Sequence, residues 1–272
     1  MPLSDVEFNF IAKELKDRSG LSIGKEKEYL LESRLQPMAR ELGFDSVSML
    51  ISSLVGSYDT ALLDRITDAM TTNESMFFRD TKPFEQFKSI VLPALTAACA
   101  GRPIRIWSAA CSSGQEAYSL VMTLEEERSK YPGLQYEIIG TDISPTILKK
   151  AENGIYSQFE IQRGLPIQML LKYFDQLEKN QWQAKPVLRD KVKFQHLNLL
   201  QPFSQLGRMD VIMCRNVLIY FDDHTKSGVL DRMASLVQNP GFLFLGSAET
   251  IMGLCDRFQS HSPEARGVFI PK

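Results

Sequence analysis

The spacing of apolar residues changes after the first four predicted helices. Before that point, apolar side chains recur three and four residues apart, as at Leu31, Leu35 and Met38, which is the period of one helix face. Four such segments without a strand between them predict an all-α N-terminal domain over residues 1–72. After it, short apolar runs alternate with helical segments over residues 73–272, which predicts an α/β domain whose parallel sheet is covered by helices.

Capping and breaking residues predict the limits of the first helices. Ser4, with a glutamate three residues later, predicts a capping box at the start of the first helix. The second helix is predicted over residues 25–42, and Pro37 within it should kink or locally break it. Asp45 and Asp59 are the predicted caps of the third and fourth helices.

Two segments of the second domain depart from simple alternation. Residues 80–100 are predicted to form one helix, and Pro93 should break it late, towards its C-terminal end. Residues 155–195 interrupt the strand–helix rhythm and predict a small antiparallel β insertion. Within it, residues 181–188 and 191–197 alternate and are expected to pair as a hairpin, the second strand then rejoining the main sheet.

The stretch from Ile104 to Leu120 has the pattern of a nucleotide-type site. An apolar run passes through small residues up to Gly114 and into a helical pattern, which brings the backbone close to a ligand at a helix N-terminus. Asp142 follows at the end of the next predicted strand, where an acidic residue can hold ribose hydroxyls. A turn with a single glycine suits a pyrophosphate poorly, so the pattern favours a nucleoside ligand without phosphates, such as S-adenosylmethionine.

Polar residues at the ends of several predicted strands extend this site. In an open parallel sheet, ligands bind beyond the carboxyl ends of the strands, so these residues predict a cleft. Glu116 is open to two interpretations, a ligand contact or a simple complement to the helix dipole. Asp142 is also open to two, a ligand contact or only the N-cap of the following helix. The predicted strand-end residues are 108–114, Asp142, Asn198 and Arg215-Asn216.

Composition narrows the class of protein. The net charge of −2 over 272 residues gives no general attraction to nucleic acid or to an anionic membrane. The four cysteines lack metal-binding spacing and three histidines are too few for an evident metal centre, so we expect reduced, buried thiols and no metal. No signal-like N-terminus or apolar run of roughly 18 residues is present, so we expect a cytoplasmic protein without membrane insertion.

Four sequence blocks occur in order along the chain: Asn73-Glu74-Ser75-Met76-Phe77-Phe78-Arg79, Trp107–Glu116, Gly140-Thr141-Asp142-Ile143 and Cys214–Phe221. Together they resemble the chemotaxis receptor methyltransferase family (CheR-type). The resemblance extends over essentially the whole chain. It implies a Rossmann-like, S-adenosylmethionine-dependent methyltransferase domain with a mixed sheet and a small antiparallel β insertion, preceded by a helical receptor-recognition domain. It also implies methylation of glutamate side chains on chemoreceptors.

The resemblance also implies roles for single residues. Arg79 and Tyr220 match the pair that the family places next to the reacting groups, and are the predicted catalytic residues. Ser75 stands where the family often has threonine, which keeps the hydroxyl. The implied cofactor contacts are Asn73, Ser75, Arg79, Glu116, Asp142, Asn198, Leu199, Arg215 and Asn216.

Partners follow from the same resemblance. Arg34 on the second helix is the predicted contact to the receptor's cytoplasmic methylation helices. Pro37 lies in the same helix, which therefore differs from the unbroken basic helix that the resemblance implies. From the residues alone, the basic positions of this helix also fit a mixed solvated face. The insertion looks short and lacks a glycine-bearing turn, so we expect a monomeric enzyme that does not depend on a receptor C-terminal tail.

Two rival functions stay open at this point. One is a catalytically silent, cofactor-binding signalling module, against which the presence of both Arg79 and Tyr220 argues. The other is a nucleic-acid methyltransferase. It is disfavoured by the net charge and by the absence of an Asn/Asp-Pro-Pro-Tyr tip after Met213.

Overall fold

The structure, a computed structural model, describes residues 3–99 and 101–272. The chain divides into two compact units. The first comprises the chain up to Thr72 together with Tyr220–Thr225. The second comprises Asn73–Ile219 and Lys226–Lys272.

The first unit is helical. Apolar residues from all of its long helices form one buried core, with Ile11, Leu35, Leu50 and Ile66 fully inaccessible. The all-α N-terminal fold predicted from helical spacing is thereby confirmed. Its helices are α1 Asp5–Ser19, α2 Glu28–Glu41, α3 Val47–Ser57 and α4 Thr60–Met70, with a 3₁₀ turn Lys25–Lys27 before α2.

The predicted caps are right in two cases of three. Ser4 forms the expected capping box, and Asp59 accepts a hydrogen bond from the Leu62 amide at 3.1 Å. The prediction for Asp45 is wrong, because Ser46 caps α3 through its own hydroxyl. The predicted local break at Pro37 is also wrong: α2 continues through it, since a proline removes one backbone donor and leaves the neighbouring hydrogen bonds of the helix in place.

The second unit holds all the strands that the described residues form. They are β1 Ile104–Ala109, β2 Tyr136–Asp142, β3 Ile155–Ser157, β4 Phe174–Leu177, β5 Gln181–Ala184, β6 Val192–His196, β7 Met209–Cys214, β8 Val237–Leu245, β9 Phe258–Ser260 and β10 Val268–Pro271. The remaining helices are α5 Lys82–Gln86, α6 Leu92–Ala98, α7 Gln115–Glu127, α8 Pro145–Asn153, α9 Gln158–Gln162, α10 Ile167–Tyr173, α11 Pro186–Arg189 and α12 Asp223–Leu236.

The main sheet is mixed and seven-stranded, in the order β6-β2-β1-β7-β8-β10-β9. The first five strands in this order are parallel, and β10 runs antiparallel to β8 and β9. From β1 the chain proceeds to β2 and β6 on one side, then to β7 and β8 on the other. The topological switch point therefore lies between β1 and β7, where ligands of such sheets bind. The predicted α/β fold with a mixed sheet is confirmed.

The insertion is a separate three-stranded antiparallel sheet in the order β3-β5-β4. The predicted hairpin of residues 181–188 with 191–197 is wrong, because β5 pairs with β4 and β6 pairs in parallel with β2. Pro186 begins α11 and takes the chain out of the strand. Residues 178–180 form the three-residue turn between β4 and β5, and Lys179 and Asn180 in it both have positive φ.

The segment predicted as one helix over residues 80–100 is irregular. A π-helical segment, Phe87–Val91, separates α5 from α6, and Pro93 lies in the first turn of α6 instead of breaking a helix late. The predicted end at Ala100 lies outside the described residues.

Candidate active site at the carboxyl edge of the sheet

The turn between β1 and α7 lies against the end of β2. The backbone amide of Ser112 donates to Asp142 Oδ2 at 2.8 Å. Gly114 has φ +89°, and a Cβ there would lie 3.0 Å from both Ala151 Cβ and Phe194 Cζ. The single glycine of this turn is therefore required by its backbone conformation and by close packing.

Asp142 joins the ends of neighbouring strands. It is buried, and its second oxygen accepts from the Ser144 amide at 3.0 Å. Ser144, not Asp142, is the N-cap of α8, with its hydroxyl accepting from the Ile147 amide. The interpretation of Asp142 as only an N-cap is therefore wrong. Its carbonyl also accepts from the Leu197 amide at 2.9 Å, which brings Asn198 to the same edge.

The segment after β6 is held by side chains on both sides. Asn198 Oδ1 accepts from the Leu200 amide at 2.9 Å. The carbonyl of the buried Leu199 accepts from Arg232 Nη2 at 2.7 Å, and the Arg232 guanidinium lies 5.5 Å from the centre of the Phe203 ring. The conformation at Asn198-Leu199 is thus fixed by contacts that the sequence analysis did not identify.

The connector that opens the second unit reaches the same edge. The carbonyl of Asn73 accepts from the Ser112 hydroxyl at 2.8 Å. Ser75 and Arg79 are half-buried, and Arg79 Nη1 donates to the Glu74 carbonyl at 3.1 Å. Three residues predicted to contact the cofactor therefore lie on one short segment beside the β1–α7 turn.

The insertion packs on this connector. Arg163 Nη2 lies 2.7 Å from Glu74 Oε1. Phe77 is fully buried and meets the Tyr156 ring edge-on, with centroids 5.0 Å apart. At Gly164, where φ is +87°, a Cβ would fall 2.1 Å from the Phe77 carbonyl oxygen, so only glycine allows the two segments to approach so closely.

Arg215, directly after β7, is the centre of the site. Its side chain is 1% exposed and donates to Glu116 Oε2 at 2.9 Å, to the Arg79 carbonyl at 2.9 Å and to Asp80 Oδ2 at 2.7 Å. Glu116 also accepts from the Ser108 hydroxyl at 2.8 Å. Burial raises the pKa of Glu116, and the charge of Arg215 together with these hydrogen bonds opposes that rise. One guanidinium thus connects the connector, the β1–α7 turn and the end of β7.

A carboxylate that the sequence analysis missed holds the turn after Arg215. Glu249 accepts hydrogen bonds from the backbone amides of Asn216, Val217 and Leu218. It follows β8, the fifth parallel strand, so the rule that located polar residues at the other strand ends would have located it too. Asp80 has no such signal in the sequence, because it belongs to no strand end.

Two predicted residues belong to the helical unit. Arg34 donates to the Met70 and Thr71 carbonyls, and its Nη2 donates to Thr72 Oγ1 at 2.9 Å. Its guanidinium therefore caps the C-terminal end of α4. The carbonyl of Tyr220 accepts from the Ser22 amide at 2.9 Å. The other predicted residues all lie in the second unit: Asn73, Ser75, Arg79, Glu116, Asp142, Asn198, Leu199, Arg215 and Asn216.

Comparison with known proteins decides the family. Residues 73–266 match the family model described as the CheR methyltransferase, SAM binding domain, and residues 6–71 match the CheR methyltransferase, all-alpha domain. The chain belongs to the CheR methyltransferase family. The resemblance inferred from the four sequence blocks is confirmed, as are methyltransferase activity and S-adenosylmethionine as the cofactor.

Curated relatives of this CheR chain cover nearly its whole length. Chemotaxis protein methyltransferase Cher2 of Pseudomonas putida is 39% identical, over 95% of this chain and 95% of its own. Chemotaxis protein methyltransferase 1 of Pseudomonas aeruginosa has the same identity and the same coverage. The chemotaxis protein methyltransferase of Borreliella burgdorferi is 35% identical over 91% of this chain and 89% of its own.

The residues at the carboxyl edge fit S-adenosylmethionine. Arg215 Nε is buried without a hydrogen-bond partner among the described residues, and so leaves a donor at this edge. The carboxylates of Glu116 and Asp142 supply acceptors, which suit an ammonium group and ribose hydroxyls. Gly114 lets the β1–α7 turn pack closely against Ala151 and Phe194. The set is thus complementary to an amino-acid nucleoside without phosphates.

The described residues contain neither a metal-binding cluster nor a membrane-spanning helix. Within residues 3–99 and 101–272, no group of three or more His, Cys, Asp or Glu side chains is arranged to hold a metal ion. In the same part of the chain, no helix combines the length and apolar character needed to cross a membrane. All four cysteines are free and buried, as expected.

Proposed function

We propose that this enzyme uses S-adenosylmethionine to methylate glutamate side-chain carboxylates on the cytoplasmic helices of chemoreceptors, giving the methyl esters used in chemotaxis adaptation. Membership of the CheR family and the chemotaxis names of the relatives support this substrate class. The observation that carries the proposal is the Arg215 network, because it joins three of the family's sequence blocks in one site. We assign residues 1–72 to receptor recognition and 73–272 to methyl transfer.

The proposed cofactor contacts divide by chemistry. Asp142, at the end of β2, holds ribose hydroxyls, and Glu116 binds the ammonium group of the methionine moiety. Asn198-Leu199 lies on the adenine side. Arg215 and Asn216 form the floor, and Asn73, Ser75 and Arg79 close the site from the connector.

The reaction needs little acid–base chemistry from the protein. When bound, the cofactor supplies a methyl group on a positively charged sulfur, which an attacking carboxylate oxygen takes by in-line displacement while the sulfur keeps the bonding electrons. A glutamate with a reference pKa of about 4.3 is already ionised at pH 7, so no general base is required. The protein therefore acts by positioning the reactants and by excluding water.

Arg79 and Tyr220 are the proposed residues next to the reacting groups. The planar guanidinium of Arg79 is suited to orient a carboxylate through paired hydrogen bonds. Its carbonyl is held by the buried Arg215, which fixes the backbone from which its side chain extends. The Tyr220 hydroxyl is proposed to hold the substrate glutamate.

Receptor recognition is assigned to the helical unit. Arg34 is the proposed contact, and its hydrogen bonds to the end of α4 hold the guanidinium in one place. We propose a cytoplasmic monomer that acts without a receptor C-terminal tail. The Lys179-Asn180 turn of the insertion, which contains no glycine, supports the last point. Tight binding of a receptor tail peptide would contradict it.

Transfer of labelled methyl groups to receptor cytoplasmic fragments tests the proposed roles. Arg79→Ala and Tyr220→Phe should each lower kcat/KM by about 100-fold or more, the scale of a lost positioning contact. Arg128→Ala and Tyr131→Phe are matched controls in the second unit and should retain activity. Full activity in both site variants would contradict the assignments. Cofactor binding without any transfer by the wild type would favour a silent module.

A further inference from the structure

Glu249 occupies an unusual environment for a carboxylate. Its Oε1 accepts from the amides of Val217 at 2.9 Å and Leu218 at 2.7 Å. Its Oε2 accepts from the amides of Asn216 at 2.9 Å and Gly246 at 2.6 Å. One side chain therefore satisfies four backbone donors, three of them consecutive.

The turn that it holds is strained. Asn216 has φ +61°, a left-handed conformation that a non-glycine residue keeps only where its surroundings impose it. Successive amides pointing to one side of such a turn form a concave anion-binding site, here filled by the chain's own carboxylate. Among the described residues, Glu249 is the side chain that accepts from these three amides, so its loss would remove the contacts that hold this conformation.

Gly246 is part of the same arrangement. A Cβ at this position would lie 2.8 Å from Glu249 Oε2, 2.9 Å from Asn216 Nδ2 and 3.0 Å from the Asn216 amide nitrogen. A side chain at residue 246 would therefore displace the carboxylate or Asn216. The close approach of the end of β8 to the turn after β7 therefore depends on the absence of a side chain at Gly246.

The location of the turn gives it a functional consequence. It directly follows Arg215, whose guanidinium holds Glu116 and the Arg79 carbonyl. Burial raises the pKa of Glu116, and the negative charge of Glu249 raises it further. The two carboxylates are therefore close enough to interact electrostatically. A change in the turn would thus move the floor of the cofactor site.

We propose that Glu249 is a positioning residue, which fixes the backbone of Asn216–Leu218 and thereby presents Arg215 and Asn216 to S-adenosylmethionine. This inference rests on the proposed cofactor contacts of those two residues. Glu249 itself acts through the turn and does not touch the reacting groups.

The test is the dissociation constant for S-adenosylhomocysteine, measured by calorimetry without receptor at a temperature where circular dichroism shows each variant folded. Glu249→Gln replaces one oxygen by an NH₂ group, which faces two of the backbone donors. It should raise Kd by about tenfold or more, equivalent to about 1.4 kcal/mol. Asn216→Ala should weaken binding comparably. Glu160→Gln is the matched control, because Glu160 also accepts a hydrogen bond from a backbone amide, that of Ser157, but lies in the insertion. The Kd of this variant should stay within about twofold of wild type.

Gly246→Ala is a second variant, which keeps the carboxylate and disturbs only its geometry. It should also raise Kd about tenfold, whereas Gly228→Ala, where a Cβ would have an ordinary 3.5 Å contact, should not. A folded Glu249→Gln or Gly246→Ala variant that binds with wild-type affinity would overturn the inference. Because no receptor is present, failure of receptor methylation would count against the proposed function alone.

Discussion

Replacement of Arg215 by alanine should destabilise the second unit by about 3–5 kcal/mol, the cost of leaving one member of a buried ion pair uncompensated. The Arg215 side chain is 1% exposed and its partner Glu116 is 13% exposed, so this pair dominates the estimate. Asp80 is 40% exposed, and its share should be under about 1 kcal/mol because solvent screens it. Loss of the hydrogen bond to the Arg79 carbonyl is included in the total.

The loss should depend on pH. Burial already raises the pKa of Glu116, and removal of the Arg215 charge raises it further. A carboxyl group whose pKa is higher in the folded state binds more protons there than when unfolded, so stability falls as pH rises through the interval between the two pKa values. The deficit of Arg215→Ala relative to wild type should therefore be smaller at pH 5 than at pH 8.

Fluorescence gives a selective assay, because both tryptophans, Trp107 and Trp182, lie in the second unit. Urea unfolding followed at their emission should show the loss, and thermal unfolding should shift by about 6–20 °C at roughly 2–4 °C per kcal/mol. Arg128→Ala removes an ion pair with Glu125 in which the arginine is 52% exposed, so it should cost under about 1 kcal/mol. Adding Glu116→Gln to Arg215→Ala should recover part of the loss. A single variant within about 1 kcal/mol of wild type, or an equal deficit at both pH values, would refute this reasoning.

Two other predictions concern stability outside the ion pair. Gly164→Ala should lower the free energy of unfolding by about 2–4 kcal/mol in urea, because a Cβ would clash with the Phe77 carbonyl. Gly133 also has a positive φ, but a Cβ there would have nothing within 4 Å, so Gly133→Ala should cost only about 1–2 kcal/mol. Equal costs would contradict the packing argument. A hydrogen bond from Ser52, followed by other local donors, lowers the pKa of Glu7 to about 2. The stability it contributes is therefore present above about pH 4.5 and lost as pH falls towards 2. Glu7→Gln should speed hydrogen exchange in α1 at pH 7 but not near pH 2, and an effect independent of pH would exclude the carboxylate as its cause.

The sequence predicted those parts of the site that depend on periodicity and strand ends. β1, the turn at Gly114 and α7 follow from a short apolar run, small residues and a helical pattern. Asp142, Asn198 and Arg215 follow from the rule that ligands bind at the carboxyl ends of parallel strands. Each of these features depends on residues that are close together in the chain, so the local order of residue types is enough to predict it.

The missed features depend on contacts between distant segments. Asp80 acquires its role only because the fold brings Arg215 to it, and it belongs to no strand end that would mark it in the sequence. The pairing of the insertion was mispredicted because residues 181–188 alternate like a strand, while Pro186 starts a helix within them. Alternation alone does not select the partner strand.

Incubation of the wild-type enzyme with S-adenosylmethionine and a receptor cytoplasmic fragment, followed by mass spectrometry of the modified residues, tests the proposed glutamate methylation. Individual glutamates should each gain one methyl group, which mild base should release as expected for an ester. Base-stable methylation, or methylation on residues other than glutamate, would contradict this proposal.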